Sequence, residues 1–206
     1  MDTLLGICGR DFVAIAANRN VARSIVVMGQ DKDRVLELNG NALMALVGDS
    51  GDASAFGEYV KAITALEELR NNERKMSVHA LASLVRKKLA EELRSRGAYQ
   101  TNLLVGGCDS HATESLGVVH TPSLYWIDHL AAAQKVPYAA HGYAAFFCTS
   151  ILDRAYNEDL TEEEALGLIR LCLDELRTRF LVSQGDFIIK IIDKNGTRRT
   201  SFEKRV

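Results

Sequence analysis

Several short runs in this chain are apolar at almost every position, and that property restricts its fold more than any other. Phe12-Val13-Ala14-Ile15-Ala16-Ala17, Ala42 to Val47, Leu103-Leu104-Val105 and Phe187-Ile188-Ile189-Lys190-Ile191-Ile192 are the clearest cases. A strand with one wet face alternates apolar and polar residues, so strands of this kind must be covered on both faces. The order of segments is strands, two helices, strands, two helices, strands. Two stacked sheets sharing one core, each with a helical pair on its outer face, satisfy both facts. A doubly wound sheet fits less well, because it requires single helices alternating with strands.

The chain opens on a strand hairpin: Thr3-Leu4-Leu5-Gly6-Ile7-Cys8 is followed by a Gly9-Arg10-Asp11 turn and the run to Ala17, with no leader in front. Val21 to Gln30 is mixed. Arg34 to Leu38 alternates, Asn39-Gly40-Asn41 turns, and Ala42 to Val47 is a buried strand ending at Gly48-Asp49-Ser50-Gly51-Asp52, where Asp and Ser cap a helix. That helix is expected over about Ala53 to Leu69, with Phe56, Tyr59, Val60, Ile63 and Leu66 on its inner side. A second begins at Ser77, carries the stripe Val78, Leu81, Ala82, Val85, Leu89 and Leu93, and ends at Gly97. The two helices are expected to form an antiparallel pair.

Thr101 to Cys108 reads as a central strand whose Gly106 and Gly107 allow close approach of another layer. Asp109 to Ser123 turns polar around Leu116-Gly117-Val118-Val119 and reads as a surface excursion. Strands are expected at Leu124 to Ile127 and Val136 to Ala140, and a third helix over Tyr143 to Tyr156. Thr161 and Glu164 form a capping box for a fourth helix bearing Ala165, Leu168, Ile169, Cys172, Leu173, Leu176 and Phe180. Phe187 to Ile192, the Asp193-Lys194-Asn195-Gly196 turn and Thr197 to Phe202 make a closing hairpin.

With 206 residues and no Pro- or Ser-rich break, a single domain over 1–206 is expected. The 25 basic and 27 acidic residues are interspersed, which gives no one-signed field for nucleic acid or an acidic membrane. Cys8, Cys108, Cys148 and Cys172 are widely spaced in apolar segments, the pattern of reduced thiols in a soluble cytoplasmic or nuclear protein. No run approaches the ~18 apolar residues of a membrane span, and no signal sequence precedes the first strand.

Gly48 to Asp52 lacks the Gly-Lys-Ser/Thr ending of a phosphate loop. Its backbone N–H groups suit an oxyanion, and equally a tight turn with a helix cap. His79, His111, His120, His129 and His141 show no paired metal-ligand spacing. Glu162-Glu163-Glu164 fits a helix N-terminus, and Trp126 fits packing. No catalytic, cofactor-binding or metal-ligating residue emerges.

Thr3-Leu4-Leu5-Gly6, Val13 to Arg19, Gly48-x-x-Gly51-Asp52, Leu69-Arg70-Asn71, and Tyr138-Ala139-Ala140-His141-Gly142 leading to Leu152-Asp153-Arg154 together resemble proteasome beta-type subunits, nearly end to end. Leu4 to Gly9, Ala139 to Tyr143 and Ile192 to Gly196 are most similar to the type-2 branch, at the fourth beta position. The resemblance implies an α+β chain with the four-layer αββα sandwich of N-terminal-nucleophile hydrolases, two stacked antiparallel sheets covered by helices. It also implies a place in the seven-membered beta ring of the 20S core. The partners would be neighbouring beta subunits, alpha-ring subunits and beta subunits of the opposite ring, in cytoplasm and nucleus.

Active members of that family attack with an N-terminal Thr freed from a propeptide, its own amine assisting. Here Met1 comes first, and the acidic Asp2 behind it favours retention of Met1. The family's strand Asp falls at Ala17 or Asn18, and its Lys falls at Arg34, which cannot be tuned towards neutrality. Its Arg-Asp-x-x-Ser-Gly-Gly motif reads Arg179-Phe180-Leu181-Val182-Ser183-Gln184-Gly185, and Gly48 persists without a nucleophile. The reading is a non-catalytic structural subunit whose polar tail, Thr200 to Val206, reaches a neighbour. Asp109 to Ser123 is longer than this subunit type leads one to expect. A threonine protease trimmed to Thr3 is the alternative, and a free-standing hydrolase using Cys8 is a third possibility.

Overall fold

The computed structural model describes residues 2–23, 26–113 and 117–202. Two five-stranded antiparallel sheets carry the architecture. The first has the order β10-β1-β2-β11-β12, from Tyr138–Gly142, Thr3–Cys8, Phe12–Asn18, Phe187–Asp193 and Gly196–Phe202. The second has the order β5-β6-β7-β8-β9, from Val35–Asn39, Ala42–Gly48, Thr101–Thr113, Gly117–Ile127 and Ala133–Lys135. A small ribbon pairs β3 (Val21–Arg23) with β4 (Val26–Gly29).

The period of two along each strand sorts its side chains into separate cores. On β2, Phe12, Ala14 and Ala16 face helices α3 (Ala144–Ala155) and α4 (Glu162–Arg179), where they meet Cys148, Leu152, Ile169 and Leu173. Val13, Ile15 and Ala17 face the other way, into a core between the sheets with Leu43, Ala45, Val47 and Leu104. On β6, Met44 and Leu46 turn outward to a third core under α1 (Ser50–Arg70) and α2 (Val78–Glu92). The layers are therefore helix, sheet, sheet, helix, as the apolar runs require.

Two glycines set the spacing of the inner layer. A Cβ on Gly106 would lie 2.7 Å from Val13 Cγ1, and one on Gly6 would lie 3.1 Å from Leu104 Cδ1 and Leu124 Cδ2. Lys190, the one polar residue in its run, falls on the inner face of β11. Its Nζ donates to the Val35 carbonyl and pairs with Asp33 at 2.8 Å, tying the first sheet to the edge strand of the second. His141 makes a second tie: its Nε2 donates to the Leu103 carbonyl at 3.0 Å, and its ring stacks on Trp126 with centroids 5.0 Å apart.

Several sequence expectations change. On α1, Tyr59, Leu66 and Leu69 are exposed, whereas Ala53, Phe56, Gly57, Val60 and Thr64 are buried. The contact face runs through small residues, because a Cβ on Gly57 would already lie 2.7 Å from Leu36 Cδ1. The first two helices also divide the sheet between them, α1 over β5 and β6, α2 over β7 and β8. The second helix stops at Glu92, five residues before Gly97.

The polar stretch from Asp109 onward is no excursion but the outer part of a long hairpin, β7 and β8 pairing from Leu103↔Ile127 out to Thr113↔Gly117. A ladder needs backbone partners rather than apolar side chains, so its composition turned polar while its pairing continued. Leu116 lies outside the described residues. The strand expected at Val136 to Ala140 is β10, which starts two residues later at Tyr138; β9 precedes it in the other sheet, and the chain crosses between them at Val136-Pro137. Pro137 has no N–H for a ladder, and its carbonyl accepts from Cys8 N at 2.8 Å instead. The mixed segment after Asn20 contains the β3–β4 ribbon.

Gly106→Val should destabilise the chain by about 1–3 kcal/mol through overpacking. Val13→Ala in the same chain should recover part of that loss, as measured by urea unfolding of the single and double variants. His141, 5 % exposed, is held neutral: burial lowers its pKa from 6.5 to about 4, with the Leu103 carbonyl pulling the other way. The folded state therefore binds its proton less readily than the unfolded chain, and stability present above pH 6.5 is lost as pH falls towards 4. His141→Gln should flatten the stability–pH curve across that window by about 3 kcal/mol relative to the parent.

Candidate functional site: the buried end of the first strand

At the start of β1, Thr3 is completely buried, on the face of the first sheet that it shares with Leu5 and Ile7, toward α3 and α4. On one side Thr3 pairs with Gly142 of β10, whose φ of +70° and absent side chain let its backbone approach: a Cβ there would lie 2.0 Å from the Asp2 carbonyl oxygen. On the other side the amide N–H of Thr3 donates to Asn18 Oδ1 at 3.0 Å, and its hydroxyl donates to Gln184 Oε1 at 2.8 Å. Asn18 comes from the end of β2 and Gln184 from the loop after α4. Both are almost wholly buried.

Arg34, just before β5, reaches in from the second sheet with its side chain 3 % exposed. Its Nε donates to the Asn18 carbonyl at 3.0 Å, and its Nη2 donates to the Asn20 carbonyl at 2.6 Å and to Asp2 Oδ1 at 2.7 Å. Burial holds the guanidinium below its ordinary value and the Asp2 charge pulls it back up. It remains a cation at neutral pH. Beside it Lys32 donates to Ser50 Oγ at 3.0 Å and Ser54 Oγ at 3.3 Å. Burial and then the Arg34 charge depress its pKa.

The positions singled out in the sequence fall into two groups. Thr3, Asn18, Arg34 and Gln184 converge. Phe180 instead packs on Tyr143 and Phe147, with ring centroids 4.4 and 6.2 Å away, and Ser183 is exposed. The Gly48 turn, with φ +138°, serves the chain itself: Asp49 Oδ1 accepts from Gly51 N and Asp52 N, and Asp49 N donates to the Gln100 carbonyl. It is a helix cap, with those donors already used. Ala17 points away, into the inter-sheet core.

Sequence reading missed two partners. Asp2 is 32 residues from Arg34, and Gln184 is 181 from Thr3. The Gln in place of the first Gly of the Ser-Gly-Gly ending was visible, but nothing local says that its side chain turns inward to a strand start. Cys8 gains no reactivity, since burial pushes its thiol up to about 11. Tyr156 hydroxyl donates to the Cys8 carbonyl. Among the described residues no cluster of His, Cys, Asp or Glu has the grouping of a metal site, and no helix is long and apolar enough to cross a membrane.

Arg34→Ala should cost about 3–5 kcal/mol in urea unfolding, because it strands a partly buried carboxylate and two carbonyls. Asp2→Asn should cost less, since the amide oxygen still accepts.

A family model for proteasome subunits matches residues 1–192. The chain is 41% identical over 203 residues to a probable proteasome subunit beta type-4 of Neurospora crassa, covering 98% of this chain and 96% of that protein. It is 41% identical over 198 residues to a probable beta type-4 subunit of Schizosaccharomyces pombe, covering 96% and 98%. With proteasome subunit beta type-2 of Oryza sativa subsp. japonica it is 37% identical over 198 residues, covering 96% and 89%. A four-layer sandwich with the first strand buried at its centre, matched nearly end to end by these sequences, places the chain in the proteasome subunit family, in its beta-type branch.

Proposed function

We propose that this chain is a non-catalytic structural beta subunit of the 20S proteasome core particle, a single domain over 1–206 that completes a beta ring and the wall of the proteolytic chamber. Its partners are the flanking beta subunits, the alpha ring and the opposite beta ring, in cytoplasm and nucleus. It needs no metal or cofactor for that role. The observation that carries the reading is the set of groups within reach of Thr3. General base catalysis needs a group able to take a proton near neutral pH. Thr3 is met by two side-chain amides, Asn18 and Gln184, and the cation beyond them is Arg34. None of the three accepts a proton at that pH.

The competing reading is a threonine protease trimmed to Thr3. Trimming removes Asp2, and with it the carboxylate that compensates a guanidinium 3 % exposed. Leaving a buried charge unpaired costs about 3–5 kcal/mol. The maturation that would create a nucleophile would thus also destabilise its surroundings. The Cys8 reading is weaker, because that thiol stays protonated.

Intact-mass analysis of the subunit taken from assembled particles should find Asp2 present, and an electrophile directed at N-terminal threonines should leave the chain unmodified. A mature N-terminus at Thr3 carrying the adduct would overturn the structural role.

A further inference from the structure

A polar cleft of about 790 Å³ opens far from the Thr3 region, between the β5–β6 turn, the α1–α2 connection, the outer part of β7 and the β11–β12 turn. Four cations line it: Arg70, which pairs with Glu67 at 3.1 Å, and Arg74, Lys75 and Lys194, none of which has an ionic or hydrogen-bonded side-chain partner among the described residues. The acids in its wall are already engaged. Asp109 accepts twice from Val78 N at 3.0 Å, capping α2, and once from Asn41 Nδ2, while Asp193 pairs with Arg198 and accepts from Asn195 N, both at 2.7 Å.

The cations are placed rather than merely present on a surface. Asn72 and Glu73 both adopt left-handed backbone, φ 55° and 60°, and Glu73 N closes onto the Glu68 carbonyl at 2.8 Å. That turn brings Arg74 and Lys75 into the lining of the cleft. Lys75 Nζ sits 2.6 Å from where a Gly40 Cβ would be, which puts the ammonium against the β5–β6 turn. In the same wall Asn41 Oδ1 is buried with no hydrogen-bond partner among the described residues.

We infer that this cleft receives an acidic peptide segment from a neighbouring proteasome subunit, its carboxylates meeting Arg74, Lys75 and Lys194 and one of its N–H groups meeting Asn41 Oδ1. A free phosphate anion would answer the positive charge but brings no donor for a buried acceptor, whereas a peptide brings both. Paired charges that lose water at an interface fix register and exclude wrong partners. The inference rests on the structural-subunit reading, because the segment belongs to an assembly partner.

Amine-reactive labelling of Lys75 and Lys194 in the free chain and in assembled particles tests it. Both lysines should be protected on assembly, and zero-length carboxyl-to-amine cross-linking should join them to an Asp or Glu of another subunit. The triple variant R74Q/K75Q/K194Q changes exposed positions only, so its thermal unfolding should match the parent. In competition with the parent its incorporation should fall about tenfold and lose salt sensitivity. Equal labelling in free chain and particle overturns the inference while leaving the structural role intact. So do cross-links confined to this chain's own carboxylates, and protection of the free chain by inorganic phosphate without an inter-subunit cross-link. A chain that never enters the particle overturns the structural role itself.

Discussion

The contact between the two sheets is the constraint on which the rest depends. Burying one face of each sheet against the other leaves two outer faces that are equally apolar, and these are stable only under helices. The inner layer also limits which side chains fit. Gly6 and Gly106 lie where any Cβ would press on Leu104, Leu124 or Val13, so the sheets meet at a distance set by the absence of side chains. Across that layer run two polar ties, Lys190 to Val35 and Asp33, and His141 to Leu103. Each is a buried or half-buried group whose desolvation is offset by a specific partner, so each favours one register of one sheet on the other.

The same packing explains why the polar groups around Thr3 are paired with one another. The first strand delivers a hydroxyl and an amide into a space closed to water, where every polar group needs a partner. Asn18 and Gln184 supply amide oxygens, and Arg34 collects two carbonyls and the Asp2 carboxylate. These pairings satisfy the site electrostatically, but amides and a guanidinium do not move protons near neutral pH. A scaffold of the hydrolase type is thus compatible with a purely structural interior. The Asp49 carboxylate has the same effect at the neighbouring turn, where it occupies amides that would otherwise face an anion.

How much of this was legible depended on the range over which the cause acts. Local causes read well: the capping box of Thr161 and Glu164, the Ser77 and Asp49 caps, and the hairpin turn at Asp193 to Gly196 all stand where the residues placed them. Failures came where packing outweighed pattern. On α1 the apolar count chose Tyr59 and Leu66, but the sheet surface admits only Ala53, Gly57 and Thr64 beside Phe56 and Val60. Along β7 and β8 the polar composition hid a continuing ladder, since strand pairing is a backbone property. The proposed reach of the tail was carried by its polarity, and positions 203–206 lie outside the described residues.

The sequence by itself determined that the central strands are covered on both sides and that four helices flank them in two sets, conclusions that follow from short periodicities; that the family's acid and lysine fall at Ala17 or Asn18 and at Arg34 is what the resemblance implies. The tertiary structure alone decided that Asp2 compensates Arg34, that Gln184 closes on Thr3, and that three cations without partners among the described residues share one cleft. Partners separated by 32 or 181 residues meet only because the sheets stack, and no local pattern encodes a contact between distant segments.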